Sequence, residues 1–269
     1  TDVKVRLTNT NENFDYKYTE LFPTINIGFE RTEDQSFTVG YSRRLRRPRF
    51  WYLNPFESRS SQNVIYKGNP GLTPTFTNSF DLGYLQKIGK LTLNSSIYFQ
   101  HSINSILRVS RDEIRLLDGV NQVITIREPI NLASEDRFGF ELTANYNPSK
   151  KVRLSGSFNV FQQESKGLYA YNKFIIDEVT GAISATPETQ DLGNTNNSWF
   201  TRFNATFSLP WKIQMQNRLS YRGPRNTAQS ESEGIFSANI ALSKDVLKEK
   251  GSLVLNVSDV FNSRKRKST

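Results

Sequence analysis

The chain has no cysteine, one histidine and one methionine among 269 residues. Without cysteine there are no disulfides and no thiolate chemistry. The single imidazole, His101, would have to serve any Ser–His–Asp triad, and no nucleophile-elbow sequence accompanies it. A zinc site built from several His or Cys ligands is excluded as well. No phosphate-binding glycine loop, heptad repeat or low-complexity tract is present. No apolar run approaches the ~18 residues of a transmembrane helix. Apolar residues make up 36% of the chain and the mean hydropathy is −0.56, little for a globular core. Thr1-Asp2-Val3-Lys4 opens inside a strand-like pattern without a signal peptide, so the start is expected to be processed or cut.

Against these absences stand aromatics at 12%, too many for a disordered chain. The net charge of +9 arises from 35 Lys and Arg against 26 Asp and Glu. The basic residues are spread through the chain, except for Arg43 to Arg49 and the tail Arg264-Lys265-Arg266-Lys267. Such a tail is more often a solvated strand end than a nucleic-acid patch, so no nucleic-acid partner is expected.

The strongest positive signal is alternation. Phe138, Phe140, Leu142, Ala144 and Tyr146 alternate with Arg137, Gly139, Glu141, Thr143 and Asn145. The turn Asn147-Pro148-Ser149-Lys150-Lys151 follows, and then Val152, Leu154, Gly156, Phe158 and Val160 alternate with polar residues. Successive strand side chains point to opposite faces, so this is a two-faced hairpin. The same period predicts about eleven strands, near 2–10, 23–31, 36–44, 76–87, 90–108, 135–147, 150–164, 196–209, 211–222, 234–245 and 251–260. Tight turns at 31–35, 87–90, 147–151, 209–212 and 244–250 alternate with long connections at 45–75, 109–134, 165–195 and 223–233, and a shorter one at 11–22. That order predicts an all-β, antiparallel up-and-down meander with two distinct ends. Within 109–134, Ile114–Leu117 and Val123–Ile126 flank Asp118-Gly119, which predicts a projecting hairpin. Runs of about ten residues suit a tilted membrane crossing, and Tyr84, Tyr146 and Trp211 stand where an interfacial girdle would lie. Alternation alone leaves a sandwich and a wide barrel both open. The acidic pairs Asp112-Glu113, Glu135-Asp136 and Asp177-Glu178 fall in or near loops, where solvation is commoner than catalysis or calcium binding. No enzyme activity, cofactor or metal is expected.

The stretch from Phe37 to Tyr84 carries Ser42-Arg43-Arg44, Arg47-Pro48, Leu53-Asn54-Pro55-Phe56, Gly68-Asn69-Pro70-Gly71-Leu72-Thr73-Pro74 and Asp81-Leu82-Gly83-Tyr84, with Val257-Ser258-Asp259-Val260-Phe261-Asn262 later. This set resembles the C-terminal barrel of TonB-dependent receptors, in particular the outer-membrane β-barrel family common in Bacteroidota. Thr75 departs from the family, which usually has an acidic residue after the proline. The resemblance implies a partial transmembrane β-barrel in the bacterial outer membrane, with long extracellular loops. It also implies uptake of a scarce ligand such as a metal chelate or glycan. Its implied partners are outer-membrane lipid and, in a full-length protein, a plug domain and the TonB energy-coupling complex. Residues 1–269 are accordingly expected to form one partial barrel domain, without a plug and without the final strands.

Two groups of residues are candidates for touching a ligand. Arg43, Arg44, Arg46, Arg47 and Arg49, with Trp51 and Tyr52, concentrate charge and aromatic surface at the mouth. Tyr169, Tyr171 and Phe174 offer stacking surfaces in a loop whose sequence is better placed to choose the cargo. The competing expectations are a passive or structural barrel and a soluble β-rich carbohydrate-binding module. The last predicts a dry core between sheets.

Overall fold

The computed structural model describes residues 2–7, 12–17, 19–117, 119–177, 180–247 and 250–264, with side chains described from residue 19 onward. Residues 8–10 of the first expected strand, Asp118, Glu178 and the basic tail from Lys265 lie outside that set. Ten strands form one antiparallel sheet in chain order. They are Thr24–Thr32, Gln35–Arg46, Thr75–Ile88, Leu91–Ile103, Ser134–Ser149, Val152–Lys166, Asn194–Leu209, Ile213–Arg222, Ile235–Val246 and Gly251–Val257. Tight turns join them at one end. At Gly89 the backbone takes φ 57, a left-handed conformation glycine adopts without a Cβ penalty. Trp211 is also left-handed, with φ 60, and is highly exposed beside its turn.

Two differences from the periodicity have physical causes. Asp2–Leu7 pairs with Glu12–Lys17 as a separate hairpin, so the first expected strand is not part of the ten-stranded sheet. Alternation shows that a segment is extended but does not identify its partner. The expected strand 90–108 is two strands, Leu91–Ile103 and Ile106–Leu117, broken at Asn104 with φ 56. Asparagine tolerates that conformation, and the apolar alternation runs on through the break.

The registers assemble the faces. On one face Ile27, Val39, Leu82, Ile97, Phe140, Val160 and Trp199 form a row of direct cross-strand partners. On the other, Thr38, Gly83, Ser96, Glu141 and Asn159 do the same. The apolar band ends at the aromatic row Tyr41, Phe80, Phe99 and Phe138. The next row outward is Arg43, Asn78, His101, Asp136 and Glu164. There Arg43 pairs with Glu20 at 2.8 Å and His101 with Asp136 at 2.6 Å. A polar line closing an apolar band is what an edge of the hydrocarbon layer requires.

Burial separates the two architectures that alternation leaves open. Phe140, Phe203 and Ile240 stay 36%, 41% and 37% exposed, so the apolar face has no protein layer over it. A sandwich would have sealed these side chains between sheets. The fully buried aliphatic side chains Ile65, Leu72, Ile124, Ile126, Leu192 and Val109 all belong to the long connections. The packed core therefore lies beyond the rim of the wall.

Candidate functional site

The long connections fold onto one another over one end of the wall. In the first, Gly68 N donates to Asn54 O at 2.9 Å and Asn69 N to Tyr52 O at 2.6 Å. A Cβ on Gly68 would stand 2.7 Å from the Tyr52 oxygen and nearer still to that of Asn54, so only glycine permits this crossing. Val64–Tyr66 then pairs in parallel with Thr125–Arg127 of the second connection, the hairpin Ile106–Leu117 and Val120–Asn131. Asn131 donates to Thr73 O at 3.0 Å and Asn104 O at 2.8 Å, and accepts from Thr73 N at 2.9 Å. The third connection is a further hairpin, Leu168–Ile176 with Ile183–Asp191. The fourth sends Gln229 back to Ser110, accepting from its N at 2.9 Å and donating to its O at 3.1 Å.

Charge joins the same pieces. Arg115 holds Glu57 through two 2.7 Å bonds and Glu113 through one of 2.8 Å. Arg111 donates to Glu113 at 3.0 Å and Glu128 at 3.3 Å, and the Tyr169 hydroxyl donates to Glu128. Bidentate arginine pairs of this kind fix geometry as well as charge. Two apolar clusters lie beside the chain of charges: Ile65, Ile124 and Ile126 with Leu117, and Val109, Leu132, Tyr169 and Leu192 with neighbours that include Ala228. All four long connections thus contribute to one packed body.

The network has a defined pH window. Hydrogen bonds from Arg115 hold the Glu57 carboxyl below its ordinary value. Burial pushes Glu113 up, but the bonds from Arg115 and Arg111 outweigh it and leave that carboxyl lowered too. Burial, reinforced by Glu128, pushes the Tyr169 phenol above its ordinary value. A lowered carboxyl adds stability above its unfolded value, and that stability is lost as pH falls through the folded value. A raised phenol adds stability below its unfolded value, lost as pH rises through the folded one. Amide protection in 106–131 is therefore expected to be level between the carboxyl and phenol ranges. It should fall below the ordinary Glu value of 4.5, and again above the ordinary Tyr value of 10.0. Hydrogen exchange against pH measures this; protection unchanged at both ends would contradict it.

The structure separates the sequence-nominated residues. Arg43 lies on the outer row, with its guanidinium 5.7 Å from the Phe76 ring centroid. Arg44 and Arg46 alternate to the opposite face, each beside a cavity there. Arg47 leads into the helix Phe50–Leu53, and Arg49 stacks on Trp51 at 5.3 Å. Trp51 is 61% exposed and Tyr52 half-buried. Tyr169 is 6% exposed, inside the loop core and stacked on Tyr171 at 5.2 Å. Tyr171 and Phe174 line a cavity of about 500 Å³ between the second and third connections, so these two are brought together. Among the acidic pairs, Glu113 is held by two arginines, Asp112 accepts from Thr125 at 2.8 Å, Asp136 meets His101 and Glu135 faces the polar side. Among the described residues no group of three His, Cys, Asp or Glu could hold a metal ion.

Sequence reasoning missed Glu57, Arg111, Arg115, Glu128, Asn131 and Gln229, which join the loops. It also missed Arg137 and Arg225, which share a cavity of about 200 Å³ with Arg46. One available signal was the spacing of Tyr169 and Tyr171 around Ala170, which marks a strand inside what reads as loop.

All of residues 1–269 match the model of the outer membrane protein beta-barrel family. No curated protein matches the chain. Among solved structures it is similar to a mutant ferric enterobactin receptor from Pseudomonas aeruginosa in complex with enterobactin. The identity there is 14% and the TM-score 0.56, over 93% of this chain and 35% of that one. The FrpB iron transporter from Neisseria meningitidis gives 15% identity and a TM-score of 0.53, over 94% and 35%. The siderophore receptor PirA from Acinetobacter baumannii gives 12% and 0.55, over 93% and 37%. At these identities the likeness is one of fold, and the chain spans about a third of the length of these proteins.

Proposed function

This chain belongs to the outer membrane protein beta-barrel family, and from that premise we propose that it is the loop-bearing part of the barrel of an energy-coupled uptake receptor. The ten strands are a section of an outer-membrane wall, with the apolar face toward lipid and the polar face toward the lumen. One observation carries the receptor reading: all four long connections pack into a single body at one end of the wall. A passive pore needs an open mouth. A receptor needs fixed side chains there to hold a dilute ligand. In this reading residues 1–269 are one barrel segment, and a plug and the TonB complex are partners of the full-length protein. The relatives' cargo, ferric enterobactin in one case, favours a metal chelate over a glycan.

The test is uptake by cells expressing the full-length parent protein. Labelled metal chelates and glycans should accumulate against their gradient, and a protonophore should abolish that accumulation. Flux that only equilibrates, indifferent to the protonophore, would identify a passive barrel instead.

A further inference from the structure

We infer that the cavity between the polar face of the wall and the underside of the loop body is a binding site for an organic polycarboxylate, or for a cargo that carries such a group. This deepens the uptake reading and rests on it. The cavity holds about 200 Å³, and three arginines line it: Arg46 and Arg137 from the wall, and Arg225 from the fourth connection. The single carboxylate that joins them is Glu135, which reaches Arg137 Nη2 at only 3.8 Å. Three positive charges, two of them on exposed side chains, therefore line the cavity with one negative charge.

The arginines are under-used by the protein. Among the described residues the side chains of Arg46 and Arg225 have no ion-pair or hydrogen-bond partner. Arg137 gives one bond, from Nη2 to Gln163 Oε1 at 2.5 Å, and lies over Phe161 with its guanidinium 4.8 Å from the ring centroid. Its Nε is buried with no partner. A buried, unpaired N–H beside an arginine-lined cavity is costly unless something else satisfies it. A planar carboxylate matches the guanidinium fork in two parallel bonds.

The remaining walls narrow the ligand class. Leu107, Leu132, Leu192 and Ala228 form an apolar side contributed by the loops. A bare inorganic anion leaves that side wet and unused, whereas a hydrocarbon skeleton carrying carboxylates uses both sides. The fourth connection is pinned above the cavity. Asn226 N donates to Asn196 Oδ1 at 3.0 Å, and Asn194 Nδ2 donates to Asn226 O at 2.8 Å. Arg225 is thereby carried on a pinned backbone at the cavity that Arg137 also lines. That arrangement suits a ligand with more than one acidic group.

The experiment is calorimetric titration of the full-length parent protein in detergent, with citrate as the probe and inorganic phosphate and glycerol as comparisons. Citrate should bind saturably, and at least tenfold more tightly than phosphate; glycerol should not bind. Arg137→Ala and the double variant Arg46→Ala/Arg225→Ala should each weaken citrate at least tenfold. Arg137→Lys should recover only part of the loss, because an ammonium cannot form the paired contact. Arg153→Ala, on another part of the polar face, should change nothing. The different gel mobility of unheated and heated samples reports whether each variant is folded. Failure of citrate to bind, equal binding of phosphate, or equal weakening by Arg153→Ala overturns the site. If those results come with protonophore-sensitive uptake, the receptor reading stands without the site. Citrate binding without energised uptake would keep the site and remove the receptor.

Discussion

Arginine in place of Leu142 is expected to destabilise the barrel by about 2–4 kcal/mol, while arginine in place of its neighbour Thr143 changes stability by about 0.5 kcal/mol or less. Leu142 lies midway between the aromatic Phe138 row and the turn-proximal Tyr146, with Ser95 and Phe158 beside it. A guanidinium there would sit near the middle of the hydrocarbon layer with no partner of opposite charge. Thr143 points to the other face, among Asn94 and Ser157. An arginine there meets water in the lumen. Urea unfolding of the protein in lipid vesicles measures both variants. Equal destabilisation, or a larger effect at Thr143, would mean that the faces are assigned the wrong way round.

Arg111→Ala is expected to loosen the loop body by about 3 kcal/mol while leaving the wall intact. The Arg111 side chain is 17% exposed and both of its partners, Glu113 and Glu128, are 19% exposed. Burial opposes the charge on Arg111, yet Glu128 and Glu113 more than compensate, so its proton is held more tightly than usual. Removing it leaves Glu113 with Arg115 alone and Glu128 with the Tyr169 hydroxyl and no cation, in a mostly dry place. Faster amide exchange should appear together in 106–131 and 168–191, with none in the wall strands. Glu128→Gln added to Arg111→Ala should recover part of the protection by discharging the carboxylate left without a cation. Loss of protection in the first hairpin alone would show that the connections move independently. That would remove the main support for the receptor reading.

The wall was legible because its physics is local. A residue such as Leu142 shares the apolar face with Phe140 and Ala144, and period two records that in the chain itself. The Asn69-Pro70-Gly71 turn and the Gly68 crossing likewise left their mark as residue types. What joins the loops was not legible. Glu57 meets Arg115 across 58 positions and Gln229 meets Ser110 across 119. No local pattern encodes such distances. Asn104 broke an alternating run without interrupting its pattern, and Val3 and Val5 marked an extended segment but not its partner. The arginine run suffered from the same blindness. Read as one patch, it is divided by the pleat, with Arg43 outside and Arg44 and Arg46 inside. Arg137 and Arg225, which share the cavity with Arg46, stand far away in sequence.

Residues 1–269 contain no cysteine, which simplifies the decisive measurement. Single cysteines placed in turn from Arg137 to Tyr146 in the protein reconstituted in vesicles can be scanned with a water-soluble maleimide and a fluorophore quenched by spin-labelled lipid. Strict alternation is expected. Positions 138, 140, 142, 144 and 146 should be quenched by lipid and label slowly, while 137, 139, 141, 143 and 145 should label from water. Quenching at the odd positions, or no alternation at all, would contradict it.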